Sequence, residues 1–182
     1  MCCEFEFSLG NIKNGILLAQ DAYGNYAVQY ILELQILSAM SKLTSQFKGN
    51  YVHLATQKFS SHVVEKCLAV LDAQIRSTII RVLISATQFE QLLQDPHANY
   101  VIQTALRVSE FIYEAATKFY VKIATDQHGC CVLQRCINHS TGEYHEKLIS
   151  EISKTRILLA QDAYGNYAVQ YILELQSPSV LS

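Results

Sequence analysis

The sequence predicts an all-α solenoid of about five helical repeats, and three observations carry that prediction. Ile16–Gln35 is identical to Ile157–Gln176, twenty residues repeated at an offset of 141. Degraded copies lie between them: DAYGNYAVQYIL at 21–32 aligns with QKFSSHVVEKCL at 57–68, DPHANYVIQTAL at 95–106 and DQHGCCVLQRCI at 126–137. Asn25, Ser61, Asn99, Cys130 and Asn166 are the equivalent positions, spaced by 36, 38, 31 and 36 residues. Self-similarity at such a period marks stacked helical units that share a continuous core.

Each unit reads as three helices. Projected at about 100° per residue, Ala27, Val28, Ile31, Leu32 and Leu34 share one arc, while Asn25, Tyr26, Gln29, Tyr30 and Glu33 fill the other. Ser61–Val70 splits alike: Val63, Val64, Cys67, Leu68 and Val70 on the arc expected to be buried, Ser61, His62, Glu65 and Lys66 on the open one. A short apolar stretch ending in Asp or Gln, such as ILLAQD, precedes each of these helices, with a Gly, Ala or Ser turn between. A further amphipathic run follows, for example Ala73–Ile84. Strand signals are absent. The repeats fall at about 12–47, 48–85, 86–117, 118–152 and 153–176, between a flank at 1–11 and a tail at 177–182. The 31-residue spacing leaves a shortened stretch between Ala105 and Ala124, where a tight or kinked junction is expected. The ends, MCCEFEFSL and SPSVLS, make poor caps for a solenoid and read as clipped.

Composition narrows the function classes. Half of the 182 residues are apolar and only 16 % are charged, which suits a folded helical chain rather than a disordered one. The net charge of −2 gives no global basic signal of the kind that phosphate-driven nucleic-acid binding uses. Neither a secretory leader nor an apolar run of about 18 residues is present, so a cytoplasmic chain is expected, with no membrane partner and all six cysteines reduced.

The open arc is unusual. It repeats three positions at i, i+1 and i+4: Asn25, Tyr26, Gln29; Ser61, His62, Glu65; Asn99, Tyr100, Gln103; Cys130, Cys131, Gln134; Asn166, Tyr167, Gln170. Groups at i and i+4 sit one turn apart on the same side of a helix. An amide or carboxylate pair there can meet two hydrogen-bonding atoms on the edge of a flat heterocycle, and the adjacent ring can stack on its face. Stacking contributes about 1–3 kcal/mol per base and needs no strongly basic surface. The competing reading of the same face is a helical scaffold for protein–protein interaction.

These five helices resemble those of Pumilio (PUF) repeats, in wording closest to plant members, over about Lys13 to Gln176. The resemblance implies a right-handed, curved α-solenoid that reads single-stranded RNA one base per repeat with two or three side chains. Carried over by position, Asn25 with Gln29, Asn99 with Gln103, and Asn166 with Gln170 resemble uracil readers. Ser61 with Glu65 resembles the guanine reader, and Cys130 with Gln134 the adenine reader. Tyr26, His62, Tyr100 and Tyr167 are the implied stackers; the family's usual Arg at the stacking position of an adenine reader is here Cys131, which implies weak binding. Read antiparallel, the chain would meet 5′-UAUGU-3′, with UGU as its core. The family's eight repeats are five here, in an unusual order, as in a truncated or rearranged domain. The resemblance further implies action on the 3′ untranslated region of mRNA, through regulatory protein partners, on translation or stability. DNA is not implied.

Other constellations carry less. Cys131, Cys136, His139 and His145 match no standard zinc spacing, and Cys136 falls on the apolar arc, so no metal or cofactor is expected. His97 and His128 occupy the Tyr23 position of the turn and read as packing residues. The vicinal pairs Cys2–Cys3 and Cys130–Cys131 read as free thiols. No nucleophile elbow, zinc-protease helix or phosphate-binding glycine loop occurs, so no enzyme is expected.

Overall fold

The structure, a computed structural model, describes residues 14–85, 87 and 89–175, with the Phe111 side chain left aside. The pair Cys2–Cys3 and the ends of the chain lie outside the described residues. All described regular structure is helical. The chain divides between Ala86 and Thr87 into two compact units.

The first unit holds α1 (Gly15–Gln20), α2 (Gly24–Glu33), α3 (Leu37–Phe47), α4 (Tyr51–Ala55), α5 (Ser60–Val70) and α6 (Ala73–Ser85). The second holds α7 (Phe89–Gln94), α8 (Ala98–Leu106), α9 (Phe111–Thr117), α10 (Tyr120–Ala124), α11 (Gly129–His139), α12 (Gly142–Lys154), α13 (Arg156–Gln161) and α14 (Gly165–Leu175). The period is a short helix, a central helix and a third helix. α2, α5, α8, α11 and α14 are the central ones, on which the repeated triplets lie.

Central helices pack on each other within a unit: α2 on α5 in the first, α8 on α11 and α11 on α14 in the second. Each layer delivers one short apolar set. Ala19, Val28 and Leu32 are fully buried, as are Leu54, Val63 and Cys67 on the neighbouring repeat. Full burial of one such leucine stabilises by about 1.5–3 kcal/mol, so the interlayer seams hold these units together. Polar links cross the same seams: Glu33 with Lys66, Glu90 with Lys122 (2.7 Å), and the Tyr171 hydroxyl donating to Asn138 Oδ1. Their exposure keeps each ion pair within about 1 kcal/mol, so they select register more than they supply stability.

The expected tight junction is found between α8 and α10. α9 is seven residues long, against eleven and thirteen for α3 and α6. Ile112, Tyr113 and Ala116 bury it, and the Tyr113 hydroxyl donates to Leu106 O at 3.0 Å, closing the end of α8. Burial pushes the Tyr113 phenol up to about 12.

The single buried arc predicted for α2 is wrong in detail. Ala27 is exposed and Leu34 is 38 % exposed, and Val70 of α5 is only half-buried. An α-solenoid helix has two apolar flanks, one for each neighbour, and a helical wheel merges them. The duplicated segment separates the two. In the first copy Ala19, Val28 and Leu32 are covered while Leu18 and Ala27 are open. In the second, Leu159 and Ala168 are covered while Ala160 and Leu173 are open. Identical residues, packed against α5 in one place and against α11 in the other, bury opposite flanks.

One close approach fixes the angle between short and central helix in the fourth repeat. A Cβ added at Gly129 would lie 2.6 Å from Ile123 O and 2.8 Å from Ile123 Cα, both backbone atoms of α10. Helix propensity alone favours Ala by about 1 kcal/mol, whereas the overlap costs about 1–3 kcal/mol. Gly129→Ala is therefore expected to lower the melting temperature measured by circular dichroism; a rise would show that propensity outweighs the clash.

Cys67 and Cys136 are fully buried, and burial raises both thiols to about 12. Cys131 is exposed. Because the thiolate is the reactive form, alkylation of the native protein followed by peptide mass mapping should modify Cys131 first among the described cysteines. Cys67 and Cys136 should react only on unfolding; a stoichiometric disulfide at either would contradict this packing.

Candidate nucleic-acid interface

Every triplet begins four residues after an acidic or amide residue at the turn before its central helix. Asp21 Oδ1 accepts from the backbone N–H groups of Tyr23 (2.9 Å) and Gly24 (2.7 Å). Asp95, Asp126 and Asp162 do the same for the residues two and three positions on. Asp and Asn favour this turn because their short side chains reach backbone donors locally. The donors hold the Asp21 carboxyl below the usual carboxylate range, with Gly24 N–H the largest contribution and Tyr23 next. The second repeat has Gln57 instead, and there Ser60 Oγ donates to Leu54 O at 2.8 Å.

The same turn seats the first residue of the triplet. Asn25 Nδ2 donates to Asp21 O and Ala22 O, both at 2.9 Å, and Asn166 Nδ2 donates to Asp162 O and Ala163 O at the same distance. Asn99 Nδ2 donates to Asp95 O at 2.7 Å. With its nitrogen turned to the backbone, each Asn presents Oδ1 along the helix, and the Gln one turn on donates to it: Gln29 at 2.9 Å, Gln103 at 2.9 Å, Gln170 at 3.1 Å. The pair expected on one open arc is thus a chain of three links, from backbone carbonyl to Asn to Gln.

This corrects the helical-wheel expectation for four residues. Asn25, Ser61 and Asn99 are each only 2 % exposed, and Cys130 is buried too, whereas Asn166 remains half-buried. The wheel put these residues on the open arc because they are polar or small. In the folded chain they lie against the turn, where Ser61 Oγ donates to Lys58 O (3.3 Å) and Cys130 Sγ to Gln127 O (3.4 Å).

The second and third positions do face outward. Tyr26, Tyr100 and Tyr167 are at least half exposed, as is the His62 side chain, and Cys131 is exposed. Gln29, Gln103 and Gln134 are half-buried, and Gln170 is exposed. In the second repeat His62 Nδ1 lies 3.2 Å from Glu65 Oε1, so the ring is held beside the carboxylate. The fourth repeat differs. A cavity of about 320 Å³ opens between the α8 and α11 triplets, lined by Tyr100 and Gln103 on one side and Cys131, Gln134, Arg135 and His128 on the other.

Two cleft residues were not foreseen. His128 was expected to be a packing residue, yet it is half-buried and lines the cleft, and its counterpart Tyr23 is 85 % exposed. Arg135 follows Gln134 directly, and adjacency to a triplet was the available signal. Among the described residues no group of three or more His, Cys, Asp or Glu side chains converges as a metal site.

Comparison with known proteins places this arrangement. A model of the Pumilio-family RNA binding repeat matches residues 88–110, 119–153 and 157–179, and a model of the NOP9-like PUF repeat domain matches residues 12–89. Pumilio homolog 11 of Arabidopsis thaliana is 40 % identical over 90 % of the chain, and putative pumilio homolog 8, chloroplastic, of the same plant is 36 % identical over 94 %. The chain spans only 31 % and 35 % of their lengths. Among solved structures, the Puf3 RNA binding domain bound to a Cox17 RNA 3′ UTR recognition sequence superposes with a TM-score of 0.84 at 30 % identity, over 95 % of this chain and 52 % of that one. The Puf4 RNA binding domain, bound to an HO endonuclease RNA 3′ UTR recognition sequence, gives 0.79 at 30 % identity over 90 % and 52 %. With its three-helix repeats and its recurring Asn–Tyr–Gln triplets, the chain belongs to the Pumilio (PUF) repeat family.

Proposed function

We propose that this chain binds single-stranded RNA in a sequence-specific manner, and that 5′-UAUGU-3′ is its preferred element. The observation that carries the proposal is the backbone-anchored Asn–Gln pair beside an exposed Tyr, present in three of the five central helices. With the Asn fixed, each Gln offers Oε1 and its remaining N–H outward. Uracil presents a donor at N3 between acceptors at O2 and O4, so this amide edge is complementary to it. Glu65 supplies a carboxylate instead, which can accept from N1–H and N2–H of guanine together. The site residues proposed are the fifteen of the five triplets, with Asn25, Asn99 and Asn166 as mounts and Gln29, Gln103 and Gln170 as readers. Puf3 and Puf4 were each solved with a 3′ UTR recognition sequence, which supports mRNA 3′ untranslated regions as targets here, with control of translation or stability as the outcome. The compartment proposed is the cytoplasm, in keeping with four described free cysteines.

A code read residue by residue can be rewritten. Ser61→Asn, His62→Tyr and Glu65→Gln together should turn the guanine reader into a uracil reader and move preference from UAUGU to UAUUU. A bidentate base contact is worth about 1–3 kcal/mol, or roughly 5- to 150-fold in affinity. Titration of both proteins against both oligonucleotides at one salt concentration reads this directly. A wild-type chain that binds the two alike would behave as a helical scaffold without sequence preference, and a triple variant that still prefers G would refute the assignment of the second repeat.

A further inference from the structure

The fourth triplet is the one without a ring at its second position. Tyr26, His62, Tyr100 and Tyr167 stand there in the other repeats, and Cys131 stands there in α11. A thiol offers a base almost no face. The cleft between the α8 and α11 triplets therefore has Tyr100, 55 % exposed, as its wall on one side and no ring at the matching triplet position on the other. His128 lines the same cleft, but it belongs to the turn. Its counterpart His97 precedes a triplet that has its own Tyr100, so a ring at that place accompanies a stacking residue and does not replace one.

Arg135 lies four residues after Cys131, on the same side of α11 and one turn on. Long helical side chains lean back toward the N-terminus and cover the turn before them, which here is the turn of Cys131. Arg135 is half-buried and lines the cleft with Tyr100 and Gln134. In two other repeats the equivalent residue is drawn into the seam by the preceding central helix: Lys66 pairs with Glu33, and the Tyr171 hydroxyl donates to Asn138 Oδ1. The residue of α8–α9 that corresponds to Glu33 and Asn138 is Arg107, an exposed second cation whose side chain has no oxygen to accept. The link that holds Lys66 and Tyr171 is thus closed to Arg135, and among the described residues Arg135 makes no ion pair.

We infer that Arg135 is the missing wall of the fourth base site, its guanidinium lying over one face of the base whose edge meets Cys130 and Gln134, with Tyr100 on the other face. The inference rests on the RNA reading of this surface and adds a fourth residue to this triplet alone. A guanidinium suits the role because it is planar, weakly hydrated and stacks on flat rings. The cleft, about 320 Å³, sits at the small end of the about 300–1,000 Å³ of ligand pockets, a size for one flat heterocycle. A phosphate contact would use the same charge, but it would need neither the plane of the guanidinium nor the presence of a base.

The test is a titration at one salt concentration of wild type, Arg135→Ala, Arg135→Lys and His128→Ala against 5′-UAUGU-3′ and against the same oligonucleotide with an abasic second nucleotide. Wild type should bind the abasic strand more weakly. Arg135→Ala should lose about 2- to 30-fold on the complete strand and bind the abasic strand as wild type does. Arg135→Lys keeps the charge without the plane and should lose nearly as much, whereas His128→Ala should behave as wild type. Adding Cys131→Tyr to the Arg135→Ala chain should restore the lost affinity. Every variant should still prefer UAUGU to UAUUU, which shows that it is folded and that the other repeats read. An Arg135→Ala chain with no loss, a loss equal on both strands and spared by Lys, or a base-dependent loss that follows His128 instead overturns the inference and leaves the RNA reading standing. A wild type that does not distinguish UAUGU from UAUUU overturns the RNA reading and this inference with it.

Discussion

In four of the five repeats one acidic residue, at the turn before the central helix, ties fold to site. Its side-chain oxygen takes the first free N–H groups of the helix, and in the first, third and fifth repeats its own carbonyl takes the Nδ2 of the triplet's Asn. The helix cannot shift along its axis without breaking the first contact, and the Asn cannot rotate without breaking the second. For Asp21 the carboxyl is held below its usual range by those N–H donors. A depressed folded-state value means the interaction is present above the ordinary carboxylate pKa and is lost as pH falls through the folded one. Near neutral pH the hold of Asp21 on the helix start is therefore intact, and acid would weaken it, while the backbone carbonyls that seat Asn25 do not titrate.

The mount constrains what can follow it. An Asn whose nitrogen is committed to the backbone shows only Oδ1 to the next turn, which suits the donating Nε2 of a Gln. A Glu at that place would bring two acceptors face to face. The second repeat, where the reader is Glu65, has Ser61 instead, and its hydroxyl is directed to Lys58 O. In the code proposed here, base identity would thus be set by a matched pair rather than by the outward side chain alone. The fourth repeat carries the weakest mount, a thiol on Gln127 O at 3.4 Å. Its Gln134 lines an open cleft beside Arg135, whose planar cation faces the same space as Tyr100. A guanidinium there can lie over a base as an aromatic ring would, which offsets part of what Cys131 lacks.

Much of this was legible in the residues. The all-helical repeats, the central helices and the short junction near Phe111–Thr117 followed from an exact duplication and a period, because a stacked repeat must present the same apolar positions each time. The outward set of Tyr26, His62, Tyr100 and Tyr167 followed from helical spacing. What spacing could not show was depth. Asn25, Ser61, Asn99 and Cys130 were placed on the open arc, yet they are buried against backbone carbonyls that contribute no letter to the sequence. Ala27 and Leu32 were given one environment because a wheel has a single inward direction, whereas a stacked helix has two neighbours. His128 and Arg135 became visible only when two repeats closed a cleft between them.

The duplicated segment makes that last point sharper than a comparison of different sequences could. Leu32 and Leu173 have the same neighbours along the chain for the whole of their helix, yet one is fully buried and the other 63 % exposed. No local property distinguishes them, so the difference belongs to the adjacent repeat alone. In such an array stability is a sum of units and seams, and a leucine contributes its roughly 1.5–3 kcal/mol only where a seam forms over it. The triplets differ as well: Asn25 is 2 % exposed, while Asn166, with the same local bond partners, is half-buried. A hydrogen bond shielded from water is stronger than the same bond left wet. Among the described residues the Asn–Gln bond of the fifth repeat is therefore wetter than that of the first, with the same twenty residues.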